Sequence, residues 1–213
     1  MVTVLVLLAG VVAVVDWWAV ATHRRRAETI CKPLTMALLV GVAVTAGDMA
    51  GDARTWLVVG AILGLVGDVA LLDDGETAFM VGLGAFALGH IAYAVASVLV
   101  GFDPAWATIG IVFVVALLGF RFATRTLPGA IAHGGPALGG AVAFYAAVIS
   151  AMVITAWGTG IVVAGVGASL FAISDWVLGH RRFVGPLPGG RLAVMVPYHV
   201  GQALLVLGVT RAI

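Results

Sequence analysis

The chain has 213 residues, of which 62% are hydrophobic and 10% charged. That composition excludes an ordinary soluble globular domain, and a net charge of +1 gives no basis for a nucleic-acid partner. The single cysteine, Cys31, excludes an intrachain disulfide.

In chain order, the apolar runs predict eight membrane spans in one transmembrane domain covering residues 1–213. They lie at roughly 2–22, 34–50, 55–72, 78–100, 104–123, 136–157, 160–179 and 192–211, since about 20 helical residues cross a bilayer core. The Met1 end lacks the basic flank of a secretory leader, and its apolar run stops at His23-Arg24-Arg25-Arg26, so a retained anchor is expected. Asp48 and Asp52 crowd the end of the second span, and Lys32-Pro33 is the expected helix start there. All six tryptophans fall near span ends, as an interfacial belt requires. His133 and His180 fall in expected loops.

Loops after the odd-numbered spans carry Arg24, Arg25, Arg26, Lys32, Arg121, Arg125, Arg181, Arg182 and Arg191, whereas the other side carries Arg54 and Arg211. A nine-to-two split puts the first loop in the cytoplasm and both termini outside it. Arg outnumbers Lys ten to one and Gly, Ala and Val abound, which suggests a GC-rich bacterial genome and an inner-membrane location.

The third and fourth spans carry an unusual polar seam. Gly67-Asp68 ends one, and Phe86, His90, Tyr93 and Ser97 share one helical face of the other. An Asp costs roughly 2.5–3.5 kcal/mol at mid-membrane on insertion scales, so such residues face inward and usually act. The seventh and eighth spans repeat the theme with Ser174-Asp175 and Tyr198-His199…Gln202, 107 residues after Asp68 for the acid. That spacing suggests a 4+4 parallel repeat, with both acids expected at one depth, four residues before a span end. Tyr145 reads as interhelical glue, worth about 0.6 kcal/mol, and Asp16 as a group that caps or snorkels to the interface or as a third pocket acid.

Two chemistries suit these groups. Asp68, His90, Asp175 and His199 are metal-ligand types, but no dense ligand motif such as His-x-x-x-His holds them, so no metal and no other cofactor is expected. General acid–base catalysis fits better, because two carboxyls in a low-dielectric pocket can divide the roles of proton donor and acceptor.

Lys32-Pro33-Leu34, Gly67-Asp68, Phe86 with Gly89-His90 and Tyr93, Ser174-Asp175 and the Tyr198/Gln202 region resemble the lysoplasmalogenase (YhhN-like) family of multi-span membrane proteins. The resemblance spans essentially the whole chain and includes an eight-span, all-α layout. His199, between Tyr198 and Gln202, departs from the family pattern. The resemblance implies hydrolysis of the vinyl ether bond of lysoplasmalogens to a fatty aldehyde and a glycerophospho-headgroup. Asp68 and Asp175 then form the catalytic pair, and His90, Tyr93, Tyr198, His199, Gln202 and Lys32 contact the substrate, a lysophospholipid drawn from membrane lipids. Arg181 and Arg182 are placed to meet its phosphate. The competing class is a lipid or small-molecule transporter or binding protein with the same pocket and no bond cleavage. Against it stands the expected gathering of both acids on one side of the membrane.

Overall fold

The computed structural model describes residues 1–46, 49–118 and 121–210. Asp48 and Arg211, used above to read a span end and the charge split, lie outside these residues. Eight helices follow one another: α1 (Val2–Ala21), α2 (Arg25–Thr45), α3 (Gly51–Ala70), α4 (Glu76–Val100), α5 (Pro104–Leu118), α6 (Leu127–Gly158), α7 (Val162–Phe183) and α8 (Leu192–Thr210). A π-helical turn, Phe122–Thr126, leads into α6. Seven of these segments are long and apolar enough to cross a membrane, and α5 is a shorter apolar helix. The protein is an all-helical, multi-pass membrane protein. Its outer surface is apolar, with Val4, Leu7, Val11, Val112 and Val115 all exposed, as lipid contact requires.

Sequence neighbours pair as hairpins, α1 with α2, α3 with α4, α5 with α6 and α7 with α8. The helix α8 also touches α1, α2, α3 and α4, so it runs through the interior. Two hairpins cross at glycines. A Cβ on Gly89 would lie 3.2 Å from the Gly60 carbonyl oxygen, and one on Gly201 would lie 2.9 Å from that of Gly167. Only hydrogen permits this approach, and close backbone contact is the main source of helix association in lipid. Each crossing glycine stands eight residues before an acid, Gly60 before Asp68 and Gly167 before Asp175.

Three expected boundaries are corrected. The helix α2 starts at Arg25, so Lys32-Pro33 is not its beginning and Pro33 lies in its third turn. The polar turns that precede it are held by tertiary partners: Arg191 donates to the buried Glu28, and Arg25 donates to the Leu72 carbonyl. The helix α7 continues to Phe183, with His180, Arg181 and Arg182 in its last turn, where cations favour the negative end of the helix dipole. Asp175 therefore stands eight residues before its helix end and Asp68 two before its own, not four in each case. Finally, His133 and His180 are helical rather than in loops, because residues 127–133 already coil before a break at Gly134 and Gly135. Gly135 adopts φ 70°, open to glycine and costly for other residues, and Pro136 restarts the helix behind it.

Candidate active site

The expected face of α4 forms as a unit: Phe86, His90, Tyr93 and Ser97 are all buried. From it the polar side chains sort into two stations, each built around one carboxyl.

The first centres on Asp68, which has no exposed surface. Tyr198 on α8 donates its hydroxyl to Asp68 Oδ2 at 2.6 Å, and Lys32 Nζ on α2 lies 3.4 Å from Oδ1. Lys32 itself is only 7% exposed. A lysine expected at the membrane boundary thus turns inward and neutralises a buried carboxylate, which burial would otherwise make very costly. One turn along α8, Gln202 accepts a hydrogen bond from Tyr93 at 2.9 Å through Oε1, so Tyr93, Gln202, Tyr198, Asp68 and Lys32 form a polar seam through the bundle.

The second station centres on Asp175. Tyr145 on α6 donates to Asp175 Oδ2 at 2.5 Å, and His90 Nε2 approaches the same oxygen at 3.2 Å and the Tyr145 oxygen at 2.9 Å. Because the Tyr145 proton points at the carboxylate, Nε2 of His90 is the donor to both oxygens. Asp175 Oδ1 takes no hydrogen bond among the described residues, and the carboxyl keeps 12% of its surface exposed. Tyr145 is the functional candidate that reasoning from sequence missed. A phenol inside an apolar run looks like packing, and its acid partner is 30 residues away on another helix.

Aromatic rings separate the stations. Phe171 packs edge-on to both His90, with ring centroids 4.7 Å apart, and Tyr198, at 5.2 Å. Phe86 touches the same two rings. Gly67 makes room for Phe86: a Cβ there would sit 2.5 Å from its ring. Among the described residues, Asp68 and Asp175 share no hydrogen bond, partner or open cavity.

Asp175 and Tyr145 line a narrow apolar pocket between α4, α5, α6 and α7, whose other walls include Phe79, Leu83, Val142 and Phe183. Lys32 lines a second, charged and wider chamber at the ends of α3, α7 and α8. His199 faces neither. Its Nδ1 accepts from Trp17 on α1 at 3.1 Å, which leaves Nε2 as the protonated nitrogen. The neighbouring Asp16 is fully buried, so it does not snorkel to the interface. Among the described residues no three His, Cys, Asp or Glu side chains converge as a metal site would need.

A family model described as the YhhN family matches residues 27–209, which takes in every side chain of both stations. This chain belongs to the YhhN family. The YhhN chain is 32% identical to lysoplasmalogenase TMEM86B of Rattus norvegicus over 186 residues, covering 85% of this chain and 72% of the relative. Against lysoplasmalogenase TMEM86B of Homo sapiens the identity is 33%, over 74% of this chain and 65% of the relative. Against lysoplasmalogenase TMEM86A of Bos taurus it is 29%, over 72% and 64%. The YhhN chain thus spans about two thirds to three quarters of the length of these relatives. No solved structure matches it significantly.

Proposed function

We propose that this protein is a membrane hydrolase that cleaves the vinyl ether bond of a lysoplasmalogen-type lysolipid, with Asp175 as the proton donor. The observation that carries the reading is the setting of Asp175: a carboxyl on the wall of an apolar pocket, one oxygen tied by Tyr145 and His90 and the other free. The relatives' activity, named lysoplasmalogenase, agrees with it.

The chemistry asks for such a group. A vinyl ether resists base and cleaves when its β-carbon takes a proton, which leaves an oxocarbenium ion. The lipid chain lies in the apolar chamber, so the alkenyl carbons meet the free Oδ1 of Asp175. Tyr145 and His90 hold the other oxygen and fix the carboxyl plane, as a proton donor working at hydrogen-bond range requires. Once Asp175 has given up its proton, the same carboxylate draws one from the water that attacks the oxocarbenium carbon. The hemiacetal collapses to aldehyde and alcohol. Asp68, paired with Lys32 and Tyr198, contributes a fixed field from behind Phe86 and Phe171, and it holds Tyr198 in place. The direct test is to incubate the purified protein with a panel of lysolipids and assay the products by mass spectrometry. Alkenyl lysolipids should release one aldehyde per turnover and acyl lysolipids none. Turnover of acyl lipids, or transfer of intact lipid without aldehyde, points to another activity.

The reading also takes α1–α4 and α5–α8 as copies of one four-helix unit, supported by the shared eight-residue interval from crossing glycine to acid. The positive-inside count places the turn between α3 and α4 in the cytoplasm of a bacterial cell, with the termini outside. In a Cys31→Ala background, Gly75→Cys should then resist an impermeant thiol reagent in intact cells and react after permeabilisation. Labelling in intact cells would invert the orientation.

A further inference from the structure

The charged chamber has a job that the acid chemistry does not use. Four cations line it, Lys32, Arg181, Arg182 and Arg191. Two of them already have carboxylate partners, the buried Lys32 with Asp68 and the exposed Arg191 with Glu28. Arg181 and Arg182 have no carboxylate partner among the described residues. The guanidinium of Arg182 instead rests over the Phe79 ring, 4.8 Å from its centroid. Phe79, with Leu71 and Leu178, belongs to the walls of both the charged and the apolar chamber. The two spaces are therefore neighbours across an apolar partition, with cations on one side and an apolar pocket on the other. Asp73 and Asp74 line the same chamber. Asp73 is occupied in its own turn through the Gly75 N–H, and Asp74 lies 3.8 Å from Arg25.

We propose that the charged chamber is an anion subsite for the phosphate of a single-chain lipid, with Arg181 and Arg182 as its ligands and Phe79 as the divider between headgroup and chain. The proposal rests on the lipid-hydrolase reading above and assigns the headgroup end of that site. Paired arginines suit a phosphate because the planar guanidinium offers parallel N–H donors to two oxygens. The cation–π perch holds Arg182 at the partition before ligand arrives and costs little to give up at an exposed position. Asp73 and Asp74 in the same lining disfavour a second negative charge, so a phosphodiester with one charge fits better than a dianionic phosphomonoester.

The test measures binding rather than turnover, using a saturated 1-alkyl-glycerophosphodiester in detergent micelles with the purified full-length protein. A saturated ether has no double bond to protonate, so the result does not depend on the catalytic assignment. Arg181→Gln/Arg182→Gln should weaken binding of this lipid by ~10-fold or more, as loss of charge-assisted hydrogen bonds implies. The same variant should bind phosphate-free 1-alkylglycerol as wild type does, and Arg181→Lys/Arg182→Lys should keep part of the phospholipid affinity. Equal weakening for both ligands, or no weakening for either, overturns the subsite. A free glycerophosphodiester that binds as tightly as the lipid would make it a site for a soluble anion and overturn the lipid assignment.

Discussion

Asp175→Asn should lose ~10² to 10⁴-fold in the rate of aldehyde release, the range that removal of a positioned general acid spans. The amide keeps the size of the carboxyl and can still accept the Tyr145 hydroxyl, so thermal unfolding in detergent should stay near wild type. Tyr145→Phe should fall between, because it frees the carboxyl plane without removing the exchangeable proton. Adding Asp68→Asn to Asp175→Asn should cost little more, since residues serving one reaction step are not additive. A folded Asp175→Asn enzyme with turnover near wild type would remove this carboxyl from the mechanism and shift attention to the Asp68 station.

Lys32→Met should destabilise the fold by about 3–5 kcal/mol, the cost of stranding one partner of a buried ion pair. Asp68 has no surface through which water could solvate it, and Tyr198 satisfies only one of its oxygens. The informative companion is Lys32→Met/Asp68→Asn, which removes both charges together. Replacing a buried pair by neutral groups of similar size is often close to neutral for stability, so the double variant should unfold near the wild-type temperature. Its activity should remain low, because the fixed field behind the aromatic wall is gone. Lys32→Met as stable as wild type would mean that the 3.4 Å approach is not a functioning ion pair.

These two stations were legible to different degrees in the sequence. The acids stood out because a carboxyl in an apolar run is rare and costly. The α4 face stood out because Phe86, His90, Tyr93 and Ser97 follow helical spacing, and all four are buried together. What the chain order conceals is which helix supplies each partner. Asp68 binds Tyr198, 130 residues away, while Asp175 binds Tyr145 and His90 from two other helices. No period within one span encodes those pairings. Lys32 was misplaced at a boundary for a related reason. A proline after a lysine reads as a helix start, yet the partners of Glu28 and Arg25 on distant segments carry α2 two turns further back, and that sets Lys32 opposite Asp68. The expected four residues between each acid and its span end failed in the same way. The basic turn His180–Arg182 remains helical, so the end of α7 is not the end of its apolar run.

The central claim, that a carboxyl protonates the β-carbon of a vinyl ether, is tested most directly by running the reaction in deuterium oxide with purified protein and an alkenyl lysolipid. The aldehyde should carry one deuterium on the carbon next to the carbonyl, put there by the proton donor, and Asp175→Asn should form that product ~10²-fold or more slowly. Aldehyde without deuterium at that carbon, or deuterated aldehyde formed equally fast by Asp175→Asn, would contradict the mechanism.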